Sequence, residues 1–213
     1  RRIILICLFF IAALAVAAGS SYFPEFYHLY LPEIGHWATY DITGKSGTET
    51  LTFALVSKDG KNDWFEMRSK TGEGLFTVAY LVKGDPTIDA NVLKIKARSP
   101  DGTLIEIDKD TLERLRRERQ SVLGQNAVPI GPTIGKLKSL PSETLKIKGH
   151  LLRCSHIKII GKDGDSAEAW ISREVPPFGL VKLVSGDDKV VLKDFGKGAK
   201  PTLTGPVKKL VVD

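Results

Sequence analysis

The chain has little of the side-chain chemistry that marks the common enzyme classes. It contains two cysteines, Cys7 and Cys154, and only four histidines in 213 residues. It has no G-x-S-x-G elbow, no G-x-x-x-x-G-K-[ST] loop, no C-x-x-C pair and no H-E-x-x-H motif. The usual residues for nucleotide hydrolysis, dithiol redox chemistry and zinc proteolysis are therefore missing. Because Cys7 lies in an apolar run at the start, Cys154 has no intrachain disulfide partner in the rest of the chain.

Charge is also missing from the start of the chain after its first two residues. Arg1 and Arg2 precede the uncharged, apolar run Ile3–Ala18. A secretory signal has such a run between a basic start and a small-residue cleavage site, and Ala15-Val16-Ala17 or Ala17-Ala18-Gly19 would serve as that site. A membrane-spanning helix needs about 20 apolar residues, a length that the run reaches if the uncharged residues 19–23 extend it. The sequence predicts one of these two segments within residues 1–23.

Aromatic residues just after the apolar run favour a retained anchor. Such rings concentrate where acyl chains meet lipid headgroups. The predicted anchor and interface residues are Ile3, Phe9, Phe10, Leu14, Tyr22, Phe23, Phe26, Tyr27 and Tyr30. Residues 24–35 then form an aromatic interfacial linker, and the alternative for residues 22–31 is an ordinary apolar strand or helix packed on the domain. Because basic residues stay on the cytoplasmic side, we expect a single-pass protein of the cytoplasmic (inner) membrane whose C-terminal domain lies in the periplasm.

The net charge of +6 is modest and spread along the chain. The C-terminal segment 197–213 is basic, with four lysines. This distribution is too diffuse to predict nucleic-acid binding. It suits a domain close to anionic membrane lipids, or lysines that keep strands from aggregating.

From His36 onward the pattern predicts strands separated by tight turns. Apolar residues alternate with polar ones, as at Ala38, Tyr40 and Ile42, and Asp-Gly pairs separate several of the runs. We expect a mainly β domain over residues 36–196, built as a curled antiparallel sheet or partial barrel with one amphipathic helix. Residues 125–141, which contain three prolines and two glycines, are predicted to form a loop.

The one predicted helix covers residues 110–123. Asp110 and Glu113 match a capping box, and Leu112 and Leu115 begin an apolar face. Arg114, Arg116 and Arg117 lie on the polar side, either as a solvated face or as a surface for an acidic partner.

Two stretches carry a resemblance to known proteins. Residues 31–42, LPEIGHWATYDI, resemble the opening strand of uncharacterised exported bacterial β-proteins, and residues 170–182, WISREVPPFGLVK, followed by LKDFG at 192–196, are similar to their closing strands. These proteins are distantly similar to the periplasmic lipoprotein-carrier (LolA-like) fold. The resemblance implies a curled sheet around an apolar cavity and an extracytoplasmic location. It implies no catalytic residue, no cofactor and no metal.

Cys154 and His156 are the one suggestive pair of reactive side chains. Residues two apart on a strand point to the same face, so the thiol and the imidazole could act as a nucleophile and base or share a metal. A zinc site would need a third ligand that the sequence does not provide. The alternative, that both residues pack as core or surface side chains, is the interpretation we favour.

Three functions are compatible with this sequence. The first is a non-catalytic accessory subunit of a membrane protein complex, whose anchor packs on integral-membrane partners through small residues such as Ala13 and Ala17. The second is a lipid- or lipoprotein-binding carrier module with a cleaved signal, which would hold an apolar ligand. The third is a hydrolase that uses Cys154 and His156.

Overall fold

A computed structural model describes residues 32–44, 47–71, 74–84, 86, 89–98, 102–123, 134–161 and 166–210. The described residues form twelve strands and one α-helix. In chain order they are β1 Trp37–Gly44, β2 Gly47–Asp59, β3 Asn62–Thr71, β4 Gly74–Val82, β5 Val92–Arg98, β6 Leu104–Ile107, α1 Lys109–Leu123, β7 Ile134–Ile147, β8 His150–Gly161, β9 Ser166–Ile171, β10 Leu180–Ser185, β11 Asp188–Gly196 and β12 Val207–Lys209. A 3-10 turn, Asp89–Asn91, precedes β5.

All twelve strands belong to one sheet. Its order is β12-β6-β5-β4-β3-β2-β1-β11-β10-β9-β8-β7, and every neighbouring pair is antiparallel except β12 with β6. The first strand series, β1–β6, and the second, β7–β11, meet where β1 pairs with β11. The mainly β fold with an antiparallel meander and one helix is therefore confirmed. The predicted N-terminal helix lies outside the described residues.

Two core clusters fill the inner face of this sheet. In the half that contains β2–β6, α1 inserts Leu112 and Leu115 against strand residues that include Phe65 and Ile95. In the half that contains β7–β11, the cluster includes Tyr40, Leu183 and Leu192. Phe178 belongs to the segment between β9 and β10, and its ring contacts both Phe53 and Phe65 at centroid distances of 5.5 and 6.0 Å. This ring connects the two halves.

The start of α1 differs from the predicted capping box. The helix begins at Lys109, and the Asp108 carboxylate accepts a hydrogen bond from the Thr111 backbone N–H at 3.0 Å. That bond is the main cause of a lowered pKa of Asp108. Asp110 was the wrong cap because Asp108, which directly follows β6, is the residue whose carboxylate reaches a free amide of the first turn.

The predicted loop over residues 125–141 is wrong from Ile134 onward. β7 starts there and runs for 14 residues, with register irregularities around Gly135 and Pro141. A proline is acceptable here because β7 lies at the edge of the sheet, where a residue without an N–H need not interrupt a ladder. Residues 125–133 of the predicted loop lie outside the described residues, and the glycine and the proline of β7 fall at its two register irregularities.

The sheet curls strongly at its β7–β8 end. β8 pairs with β9 only over residues 155–160, so the first residues of β8 and the last residues of β7, which pair with each other, continue beyond β9. The turn of this hairpin reaches β11, where Lys148 Nζ lies 2.6 Å from Asp194 Oδ2 and the His150 ring lies 5.4 Å from that of Phe195.

The C-terminal segment crosses the outer face of the other half. Glu66 is 1% exposed, and its carboxylate accepts hydrogen bonds from the Thr202 N–H and hydroxyl and from the Leu203 N–H. Leu203 packs with Ala79 and Leu104. Because this segment is fixed in place, β12 lies along the edge of β6 and covers that edge.

Candidate functional site

Most of the residues predicted for the membrane and its interface lie outside the described part of the chain. This applies to Ile3, Phe9, Phe10, Leu14, Tyr22, Phe23, Phe26, Tyr27 and Tyr30, and to the partner-facing Ala13 and Ala17. Among the described residues, no helix combines the length and the apolar character needed to cross a membrane. The retained anchor therefore stays a prediction.

Arg114 and Arg117, the arginines of α1 whose side chains are described, do not converge on a site. Arg114 and Arg117 are exposed, and Arg117 Nε donates to the Glu113 carbonyl at 3.3 Å within the same helix. Arg116 lies on α1, but its side chain is outside the description. The geometry agrees with a solvated helix face, and docking of an acidic partner there stays a prediction.

The proposed nucleophile–base pair is not formed by Cys154 and His156. The Cys154 thiol is fully buried and donates to the Leu152 carbonyl at 3.4 Å. Burial raises the pKa of this thiol, which makes the reactive thiolate scarce. Both nitrogens of His156 lie beside carboxylates instead, so neither faces the thiol as a base.

His156 is held between two glutamates. Its Nδ1 lies 3.1 Å from Glu143 Oε1 and its Nε2 lies 3.0 Å from Glu168 Oε2. A carboxylate only accepts, so both contacts are hydrogen bonds when both ring nitrogens carry a proton. The two carboxylates lie at opposite ends of the ring and do not converge on one point. Accordingly, no group of three or more His, Cys, Asp or Glu side chains in the described part of the chain is arranged to hold a metal ion.

Trp170 forms the centre of a stack on the same strands. The His156 ring lies on one side at a centroid distance of 4.1 Å, tilted by only 17°, and Lys182 Nζ lies 4.2 Å from the Trp170 ring centroid. Trp170 is 7% exposed. Its contacts are those of a packed strand residue, and they fix the sheet next to the cavity described below.

The described residues form a cavity of about 370 Å³ between β8 and the segment Ser172–Gly179. Its lining residues come from three places: the bulge of β7, the start of β8 and the turn between β9 and β10. They are Ser142, Arg153, Cys154, Ser155, Ile157, Ile171, Ser172, Arg173, Glu174, Phe178 and Gly179. Volumes of this size hold small organic ligands.

Gly179 sets the shape of one wall of this cavity. Its φ is +78°, a left-handed conformation that side chains rarely adopt. A Cβ at this position would lie 3.1 Å from Ile171 Cγ2 and 3.2 Å from the Ser172 carbonyl oxygen. The turn therefore packs closely on the end of β9, and the cis Pro176–Pro177 bond lies within it.

The cavity combines a buried, partly apolar floor with a charged rim. Phe178 and Ser172 are 5% and 2% exposed, whereas Arg153, Arg173 and Glu174 are exposed. Within the described residues neither guanidinium has an ion-pair or hydrogen-bond partner. Two free guanidinium groups against one carboxylate give the lining a net positive charge, so the site is suited to an anion with an apolar portion.

Sequence reasoning did not find this site. Arg153 and Arg173 are separated by a whole hairpin, and each looks like an ordinary exposed strand or turn residue. The one available signal was the irregular segment Ser172–Gly179, whose Pro-Pro-Phe-Gly pattern marks a fixed turn with a buried ring. The pairing of that turn with the overhanging end of β8 depends on strand register, which the sequence alone does not reveal.

Neither protein-family models nor curated proteins match this chain. Among solved structures, it is similar to MucB in complex with MucA(peri), at 9% identity and a TM-score of 0.49, over 87% of this chain and 58% of that one. The Pseudomonas aeruginosa MucA/MucB complex matches at 11% identity and 0.47, over 81% and 56%. A Bacteroides fragilis protein with a YmcC-like fold matches at 9% and 0.34, over 79% and 98%.

The chain spans a little over half of the MucB chains that it matches. Similarity at this level assigns neither a family nor a function to it. The resemblance to the lipoprotein-carrier fold likewise stays a prediction.

Proposed function

We propose that this chain is a non-catalytic, extracytoplasmic binding domain whose cavity takes an anionic amphiphile. The ligand would carry a carboxylate or phosphate head and an apolar tail. The observation that supports this proposal best is that Arg153 and Arg173, whose guanidinium groups have no partner among the described residues, line one cavity together with the buried Phe178.

Simple energetics favour such a ligand over a purely apolar one. Hydrogen bonds to charged groups contribute about 1.5–3 kcal/mol each, and Arg binds carboxylate and phosphate through two parallel bonds. Burial of the tail adds about 25 cal/mol for each Å² of apolar surface removed from water. A neutral hydrocarbon would lose the first contribution. A small dianion without a tail would lose the second.

Calorimetric titration with decyl phosphate and with decanoate, each below its micelle concentration, tests this proposal. We expect saturable binding to the purified domain, and native mass spectrometry should show a co-purified lipid. Decyltrimethylammonium, with the same tail and the opposite charge, should not bind.

The variant pair for this test is matched in charge. Arg153→Gln/Arg173→Gln should weaken binding by about tenfold or more, equivalent to at least about 1.4 kcal/mol. Arg114→Gln/Arg117→Gln removes the same charge from α1 and should leave the affinity unchanged. Equal losses in the two variants, or no binding in the parent protein, would contradict the proposal.

The second candidate function is an accessory subunit of a membrane protein complex. Two features support it: the apolar run Ile3–Ala18, expected to anchor the chain beside integral-membrane partners, and the open edge of the sheet at β7. In this proposal the β-domain braces a complex outside the cytoplasmic membrane. Native membranes solubilised in mild detergent should release it in a large assembly on a sizing column. Migration as a free chain of its own mass would count against this role.

A further inference from the structure

We infer that the outer edge of β7 binds an extended, acidic segment of a protein partner by strand addition. The inference rests on the accessory-subunit proposal and specifies its contact. It does not depend on the ligand of the cavity.

β7 ends the sheet without a described neighbour on its outer side. It is 14 residues long, whereas the opposite edge of the sheet is formed by the three residues of β12. The register of β7 against β8 is regular from Lys136 to Leu140, between its two irregularities. Regular edge backbone of this length presents a row of N–H and C=O groups that an added strand can pair with.

The side chains of this run are basic on the outer face of the sheet. Lys136 and Lys138 are exposed, and Lys158 lies directly across from Lys138 on β8. Within the described residues none of the three has an ion-pair partner. The two glutamates in this part of the sheet already hold His156. An added strand would therefore place its outer side chains beside Lys136 and Lys138, which are the lysines nearest the edge.

The inner face of the same run carries Leu137 and Ser139. Leu137 is 44% exposed and lies across from Ile159, which is fully buried. An added strand would cover Leu137 with its own inward side chains, because residues alternate between faces. The segment that fits this edge thus alternates acidic and apolar residues.

The charge pattern disfavours a second copy of this chain as the occupant. Two β7 edges placed side by side would bring lysines against lysines, and like charges directly opposite in a sheet are destabilising. Edge lysines are a common means of preventing such self-association. They leave pairing with an acidic strand favourable.

A capped synthetic peptide in which Glu and Val alternate is the probe for this edge. We expect it to bind the full-length protein in detergent and to slow amide exchange of residues 136–140. The same peptide with Lys in place of Glu should not bind. Lys136→Glu/Lys138→Glu should weaken binding by about tenfold, since two exposed charge pairs of about 0.2–1 kcal/mol each turn from attraction into repulsion.

The control variant is Lys61→Glu/Lys70→Glu. It carries the same change in net charge on exposed lysines of the β2–β3 hairpin and should bind the peptide as the parent does. Equal weakening in both variants would reduce the interaction to general electrostatics and overturn the inference. Binding without protection of residues 136–140 would overturn it too.

Other occupants of the edge have their own signatures. Self-association that Lys136→Glu/Lys138→Glu alters would identify a second copy as the occupant, and a matching loss of binding to vesicles containing phosphatidylglycerol would identify a membrane surface. Either outcome overturns the inference. If the peptide does not bind but the native protein still migrates in a large assembly, this edge is the wrong contact and the subunit role survives. If the peptide binds but the native protein migrates as a free chain, this edge is a binding edge and the subunit role is wrong.

Discussion

The two halves of the sheet cover their faces and their outer edges in different ways. The half with β2–β6 has α1 on its inner face, a C-terminal segment fixed by Glu66 on its outer face, and an edge covered by β12. The half with β7–β11 has a comparable buried cluster, but it also has the cavity, the free guanidinium groups and the long open edge. Stability and binding are therefore expected to separate between the halves.

The largest expected effect is on the helix-covered half. Phe65 is 2% exposed and stacks on Phe178, so Phe65→Ala should lower the free energy of unfolding by about 3–5 kcal/mol. Leu75→Ala, at a strand residue that is 68% exposed, should change it by about 0.5 kcal/mol or less. Denaturant unfolding measures both. Similar losses of unfolding free energy in the two variants would mean that the half with β2–β6 is not the stabilising core.

A smaller effect is expected from the turn that forms the cavity wall. Gly179→Ala forces a side chain into a left-handed backbone and into contact with Ile171 and Ser172, at a cost of about 1–3 kcal/mol. It should also reduce decyl phosphate binding, because the wall must move.

Gly186 is the matched control for Gly179. Its φ is +56°, but a Cβ there would meet nothing within 4 Å, so Gly186→Ala should cost about 1 kcal/mol and leave binding unchanged. If Gly179→Ala binds the ligand as the parent does, the cavity is not the binding site. That result would remove the assignment of binding to the half with β7–β11. It would not affect the difference in packing between the two halves.

The smallest effect concerns the hairpin turn that closes the curled half. The hydrogen bond from Lys148 is the main cause of a lowered pKa of Asp194. A carboxyl whose pKa is lower in the folded state stabilises the fold above its unfolded pKa of about 3.9, and this contribution disappears as the pH falls through the folded value. Because the pair is solvent-exposed, we expect less than about 1 kcal/mol.

Unfolding free energies measured from neutral to acidic pH test this pair. Asp194→Asn should be less stable than the parent near neutrality, and the difference should shrink at acidic pH. Lys148→Gln should remove most of the same difference. A deficit that persists unchanged into strong acid would exclude the ion pair as its cause.

The extent to which the sequence predicts this molecule follows from how local each feature is. Alternation at Ala38, Tyr40 and Ile42 and the turn at Asp59-Gly60 depend on neighbours in the chain, and these strands form as expected. The helix was predicted within one residue at its start. β7 was partly missed because Pro141 breaks a strand everywhere except at an edge, and edge position is a property of the whole sheet.

The candidate site was less predictable than the fold. Arg153 and Arg173 line one cavity because β8 overhangs β9 and the segment Ser172–Gly179 folds beneath it. The proximity of these two arginines depends on strand register and on the curl of the sheet, which no local sequence pattern encodes. The sequence did single out Cys154 and His156, but the hydrogen bonds of both side chains go to other partners.

The most direct test of the division between the halves is a map of amide chemical-shift changes during titration with decyl phosphate. Changes concentrated in residues 153–157 and 171–179, with β2–β6 and α1 unaffected, are the predicted result. Saturable changes centred on β2–β6 or α1, or no saturable changes anywhere, would contradict the assignment of binding to the curled half.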